Sequence, residues 1–197
     1  PNLPTMGAQP IADWLARRLG RPVTAANDAR CHALGEYCFG SPPQPCLLAC
    51  VALGTSIGLG IVRHGEFFDG ARGQAGEIWR APIDLSRPDS PDLDSLLGGI
   101  GLAAAFLQKT GRSLSAQAIA QEAREGGAEA RALFEHFGAV LGGALRWIRD
   151  LLDPDRIVLG GSISQSFDLF APAMLSRAGI QPDLIRVSEL GETAPLL

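Results

Sequence analysis

The chain has 197 residues, 46% hydrophobic and 19% charged, with a formal net charge of −4, which is enough to bury a real core as one large domain or one and a half small ones. The weakly acidic balance, with no basic run and no helix-turn-helix pattern, speaks against nucleic acid binding this segment. No apolar run reaches the roughly 18 uncharged residues of a membrane span, and the opening Pro1-Asn-Leu-Pro4 lacks the plan of a signal peptide.

In chain order, residues 9–19 carry Ile11, Trp14, Leu15 and Leu19 on one helical face, and Gly20 stops the helix. Residues 22–26 (PVTAA) read as a short strand ending at Asn27-Asp28. Asp28 is placed to cap a helix through Cys31, Leu34 and Tyr37 that ends near Gly40. Residues 41–45 (SPPQP) are a turn, and 46–53 is a continuous apolar run, the signature of a strand buried on both faces. Residues 57–63 are its hairpin partner through Gly54-Thr-Ser56, and His64-Gly65 turns into a third strand near 66–68.

Residues 82–91 are loop-like, with three prolines. Helices are expected at about 92–109, 115–125 and 128–152. The last carries Leu133, Phe137, Val140, Leu141, Leu145, Ile148 and Leu152 at helical spacing and closes at Asp153-Pro154. Residues 156–162 read as strand and glycine turn before a helix from Ser164, and 183–188 as a final strand. The strand-turn-helix order predicts an α/β architecture. Cys31, Cys38, Cys46 and Cys50 fit no zinc spacing and read as buried free thiols, which points to a reducing cytoplasm. Trp14, Phe137 and Trp147 read as core, Arg146 and Arg149 as the wet side of the long helix, and His32, His64 and His136 as scattered residues without a triad pattern.

Some residues carry chemistry more readily than others. The Gly54-Thr55-Ser56 turn between two apolar runs lets N–H and hydroxyl donors approach an anion, although the same residues also make ordinary β-turns. Gly160-Gly161, between a strand and a helix, leaves bare backbone against which a nucleotide can lie, or serves simple strand-to-helix packing.

Four collinear stretches, NDARCHALGE (27–36), ALGTSIGLGIVRHGEFFDGARGQAGEI (52–78), LDPDRIVLGGSIS (152–164) and VSELGETAPLL (187–197), resemble the ROK family. That family groups bacterial sugar kinases with sugar-responsive repressors on the actin-like ATPase (ribonuclease H-like) fold. The resemblance implies that residues 1–40 end an N-terminal lobe and carry Asn-Asp, and that 41–197 form the C-terminal lobe. The family's first strand, with Asp-x-Gly-Gly-Thr, is missing, so the chain resembles the C-terminal part of a longer protein. By itself it is then expected to have no significant catalysis.

Carried over residue by residue, the resemblance implies that Asp28 is the general base and that Asn27 bonds a neighbouring sugar hydroxyl. Gly54 and Thr55 would face the β- and γ-phosphates, Gly160 and Gly161 adenosine, and Glu77 the sugar. Mg²⁺ would arrive with ATP, and a homodimer is expected. Ser56 stands where many members have a second small residue, a mild change. The family's zinc-binding His is Arg80 here, and 81–95 holds no cysteine, so no zinc site is expected. Asp94 takes the place of the second sugar-binding Glu, one methylene shorter. Arg80 is free to pair with Glu77 or Asp94 or to recognise an acidic sugar or a phosphate, and both Arg80 and Asp94 also suit a solvated loop. Three functions follow from the resemblance: an ATP-dependent sugar kinase, a sugar-sensing repressor whose DNA-binding part lies upstream, and a degenerate member.

Overall fold

A computed structural model describes residues 10–40, 43–84, 86, 87 and 89–196. Its centre is a five-stranded sheet in the order β3-β2-β1-β4-β5. The apolar run becomes β1 (Leu47–Leu53), buried at nearly every position. It turns through residues 54–56 into the antiparallel β2 (Ile57–Arg63), with Leu53 opposite Ile57. His64 and Gly65, at φ 51° and 84°, make the next turn into β3 (Glu66–Phe67). β4 (Arg156–Gly160) lies parallel to β1, and β5 (Ile185–Val187) lies parallel to β4.

Helices cover both faces of this sheet. α2 (Asp28–Phe39) packs on β1 and β2 over a small cluster of Ala33, Leu48, Cys50, Val62 and Val158. The opposite face carries the main core, supplied by α3 (Asp94–Leu97), α4 (Gly99–Thr110), α5 (Ala116–Arg124), α6 (Ala128–Leu152) and α7 (Phe167–Ala178). Leu133, Phe137, Leu141, Leu145 and Ile148 form the buried stripe of α6, as their spacing predicts. A Cβ at Gly138 or Gly142 would sit 2.4 Å from the carbonyl oxygen of Phe170 or Met174, so these glycines let α7 lie almost backbone to backbone on α6.

Several expectations need correction. Residues 22–27 are irregular, because no described strand lies alongside to complete a ladder. The helix expected at 92–109 is broken at Gly98, whose extended backbone (φ −102°, ψ 158°) passes against the 54–56 turn. The turn expected at 41–45 lies partly outside the described residues. α1 (Ile11–Leu19) forms as expected and ends on Gly20 in the left-handed region, but no residue in it is buried. Trp14 is 54% exposed, with the Arg18 guanidinium over its ring instead of a core around it. Arg149 is not simply a solvated residue: it donates to the carbonyls of Ala178 and Gly179 and so caps the C-terminal end of α7. All four cysteines are free thiols, but only Cys50 is buried, while Cys38 and Cys46 are exposed.

Candidate functional site

The N-terminus of α2 opens onto a cavity of about 450 Å³ above the β1–β2 turn. Asn27 rather than Asp28 caps the helix, its Oδ1 accepting from the N–H groups of Ala29 (2.9 Å) and Arg30 (3.4 Å). Asp28 is the first helical residue; its Oδ1 also accepts from Ala29 N–H, and its carboxylate stands exposed at the cavity. The helix can come this close because β2 alternates glycine toward it. A Cβ at Gly58 would meet the Ala29 methyl at 2.6 Å, and one at Gly60 would meet the Ala29 oxygen at 2.3 Å. Sequence reading missed this use of Gly58 and Gly60, although their period of two on one strand face was a visible signal.

The 54–56 turn forms another wall of the cavity. Its carbonyls are all occupied: Gly54 O accepts from Gly99 N (2.8 Å), Thr55 O from Ile100 N (3.4 Å) and Ser56 O from Gly54 N (3.2 Å). Among the described residues the N–H groups of Thr55 and Ser56 and the Thr55 hydroxyl have no hydrogen-bond partner. A turn with its acceptors used and its donors free presents positive partial charge to whatever enters the cavity.

Gly76 (φ 89°) runs so close to β2 that a Cβ there would lie 2.1 Å from Leu59 O, which brings Glu77 and Trp79 to the cavity. The Trp79 indole N–H donates to Glu77 Oε2 at 2.5 Å and fixes that carboxylate. Arg80 is exposed, with its guanidinium 4.5 Å over the Trp79 ring, outside the cavity lining. Gly161 (φ 82°) and Ser162 line this cavity and also a second one of about 590 Å³ between α5 and the residues after β4. The structure therefore brings Asn27, Asp28, Gly54, Thr55, Glu77 and Gly161 around one space, and leaves Arg80, Asp94 and Gly160 outside its lining.

His32 is the cavity residue that sequence reading passed over. It lies one turn along α2 from Asp28, is 5% exposed, and its Nε2 has no hydrogen-bond partner among the described residues. That atom faces Gly160 and lies 3.8 Å from Glu36 Oε1. Burial pushes the His32 pKa down, and the charge of Asp28 opposes this in part. Burial pushes the Glu36 carboxyl up, against a short hydrogen bond from Ser188. The i, i+4 spacing of Asp28, His32 and Glu36 put them on one helix face, which was the legible clue.

Among the described residues no three His, Cys, Asp or Glu side chains gather closely enough to hold a metal ion. Arg80 has no lone pair for a metal, so the implied zinc position does not fit the residues present. No described helix is long and apolar enough to cross a membrane.

The mixed α/β architecture is the actin-like ATPase fold of sugar kinases. A family model described as the ROK family matches residues 1–181, and the chain belongs to that family. An N-acetyl-D-glucosamine kinase of Pasteurella multocida is 33% identical, covering 98% of this chain and 70% of the relative. The bifunctional enzyme NanE/NanK of Brucella melitensis is 29% identical over 95% of this chain, which spans 36% of that relative. Among solved structures, the ROK hexokinase from Thermus thermophilus superposes with a TM-score of 0.87 at 26% identity, over 100% of this chain and 70% of the other. A ROK family glucokinase from Streptomyces griseus, in complex with glucose and AMPPNP, shares the fold at a TM-score of 0.80 and 23% identity, over 95% of this chain and 70% of the other.

Proposed function

We propose that the protein carrying this chain is an ATP-dependent sugar kinase that phosphorylates a hydroxyl of a hexose or, more specifically, an N-acetylated amino sugar. The observation that carries this reading is the shared cavity, with a carboxylate at a helix N-terminus on one side and a turn of free N–H donors on the other. The N-acetyl-D-glucosamine kinases among the relatives support the choice of sugar. In this reading the nucleoside occupies the second cavity and the phosphates cross Gly161-Ser162 to the 54–56 turn.

Asp28 accepts the proton of the attacking hydroxyl as its oxygen approaches the γ-phosphorus. Its position at the start of α2, in direct reach of solvent and cavity, leaves oxygen lone pairs available for that proton. Among the described residues the Asn27 side-chain N–H₂ has no partner while its oxygen caps the helix, so capping and a sugar contact coexist. Glu77, steadied by Trp79, accepts from a further sugar hydroxyl. The N–H groups of Thr55 and Ser56 meet phosphate oxygens where charge develops. Mg²⁺ arriving with ATP would supply positive charge that offsets the charge developing on the phosphates.

The test is ADP release by the full-length protein with glucose, N-acetylglucosamine, N-acetylmannosamine or no sugar. The reading expects sugar-dependent release, strongest with an N-acetylated sugar. No sugar-dependent release from any member of the panel overturns it.

A further inference from the structure

Two positions where this chain departs from the pattern it resembles touch each other. Ser56 Oγ donates to Asp94 Oδ1 at 2.5 Å, and the Ile57 N–H donates to the same oxygen at 3.0 Å. The rest of the same segment grips the other side of the turn. Gly99 N and Ile100 N donate to the carbonyls of Gly54 and Thr55. Gly98 passes so close that a Cβ there would lie 2.6 Å from Thr55 O and 3.2 Å from Asp94 Oδ1.

We propose that Asp94 is a positioning residue for the phosphate-binding turn and not a ligand of the sugar. This inference rests on the kinase reading above. One carboxylate oxygen accepts from both the hydroxyl of Ser56 and the N–H of Ile57, and charge-assisted bonds of this kind are stronger than neutral ones. They turn those two donors toward α3, while Gly99 and Ile100 occupy the turn's carbonyls. What remains for a ligand among the described residues is the N–H pair of Thr55 and Ser56 together with the Thr55 hydroxyl. Asp94 itself is outside the cavity lining, whereas Ser56 and Ile57 are part of it. Sugar recognition then falls to Asn27, Asp28 and Glu77, one carboxylate fewer than the resemblance implies.

The two roles separate by which ligand is lost. Calorimetric titration of the full-length protein with AMPPNP and, separately, with N-acetylglucosamine reads each affinity for the wild type, Asp94→Ala and Asp94→Asn. Asp94→Ala leaves the Ile57 N–H without its acceptor and loosens the turn, so AMPPNP binding weakens by about tenfold or more while sugar binding stays within a few-fold of wild type. Asp94→Asn keeps a neutral acceptor oxygen and falls between the two; if the alanine variant does not fold, it carries the same contrast alone. In the Asp94→Ala background, Ser56→Ala adds little further loss, because its hydroxyl has already lost its acceptor. Weakened sugar binding with nucleotide binding intact overturns the inference, as does no change in either. Failure of the wild type to bind either ligand overturns the kinase reading and this inference with it.

Discussion

Replacing Gly160 by alanine probes the contact between the end of β4 and the helix that carries Asp28. Gly160 ends β4 opposite Ala52 and has no positive φ, so an added methyl costs nothing in backbone strain. The new carbon, however, would sit 2.2 Å from His32 Nε2 and 2.7 Å from Cε1. His32 is 5% exposed, so the imidazole must shift within its packed surroundings to admit the methyl. Overpacking of this kind costs ~1–3 kcal/mol, and the stiffer unfolded chain returns ~0.4–1 kcal/mol of it. The net cost is then up to ~2.6 kcal/mol; for a protein of this size each kcal/mol lowers Tm by ~2–4 °C, so thermal unfolding followed by circular dichroism should show a fall of up to ~10 °C. The discriminating step is a double-mutant cycle. In a His32→Ala background the imidazole is gone and Gly160→Ala becomes close to neutral. An equal cost in both backgrounds would refute the contact on which the reasoning rests.

His32 also sets a pH dependence. Its folded pKa lies below the ordinary 6.5, so the unfolded chain binds the extra proton first as pH falls. Its contribution to stability is present above about pH 6.5 and is lost on acidification through that value toward the lowered one. Glu36, raised by burial, works the other way, since its native form is favoured as the carboxyl protonates. Urea denaturation at pH 7 and pH 5 should therefore show a smaller acid loss for His32→Gln than for the wild type; an unchanged difference contradicts the assignment. Asn27→Ala removes the two-donor cap of α2 and should cost ~1 kcal/mol in urea denaturation, while Asn27→Asp keeps most of it. A neutral alanine would mean that the cap contributes nothing.

The strands were legible because their signals are local. The apolar run at 47–53, the Gly-Thr-Ser turn and the His64-Gly65 turn each specify their own conformation. So was the buried stripe of α6, whose period needs no knowledge of its neighbours. What failed depended on partners distant in sequence. Residues 22–26 have strand-like composition but no described ladder to join, and Trp14 meets the Arg18 guanidinium instead of a core. The break at Gly98 follows from the turn at 54–56 lying across it, more than forty positions earlier in the chain. Asn27, Asp28 and Glu77 could be named as candidates from motif order, but that Asn27 is the cap, that His32 sits between Asp28 and Gly160, and that Asp94 grips Ser56 are contacts across elements that spacing alone does not encode.

The central claim is that Asp28 takes the proton in phosphoryl transfer to a sugar. Asp28→Asn isolates it, because the amide keeps an oxygen for Ala29 N–H and so preserves the start of α2. The steady-state rate of ADP formation by full-length wild type and Asp28→Asn, with saturating ATP and the preferred sugar, gives the answer. The account predicts a fall in kcat of ~10²–10⁴-fold with both KM values little changed. Turnover by Asp28→Asn within a few-fold of wild type would contradict it.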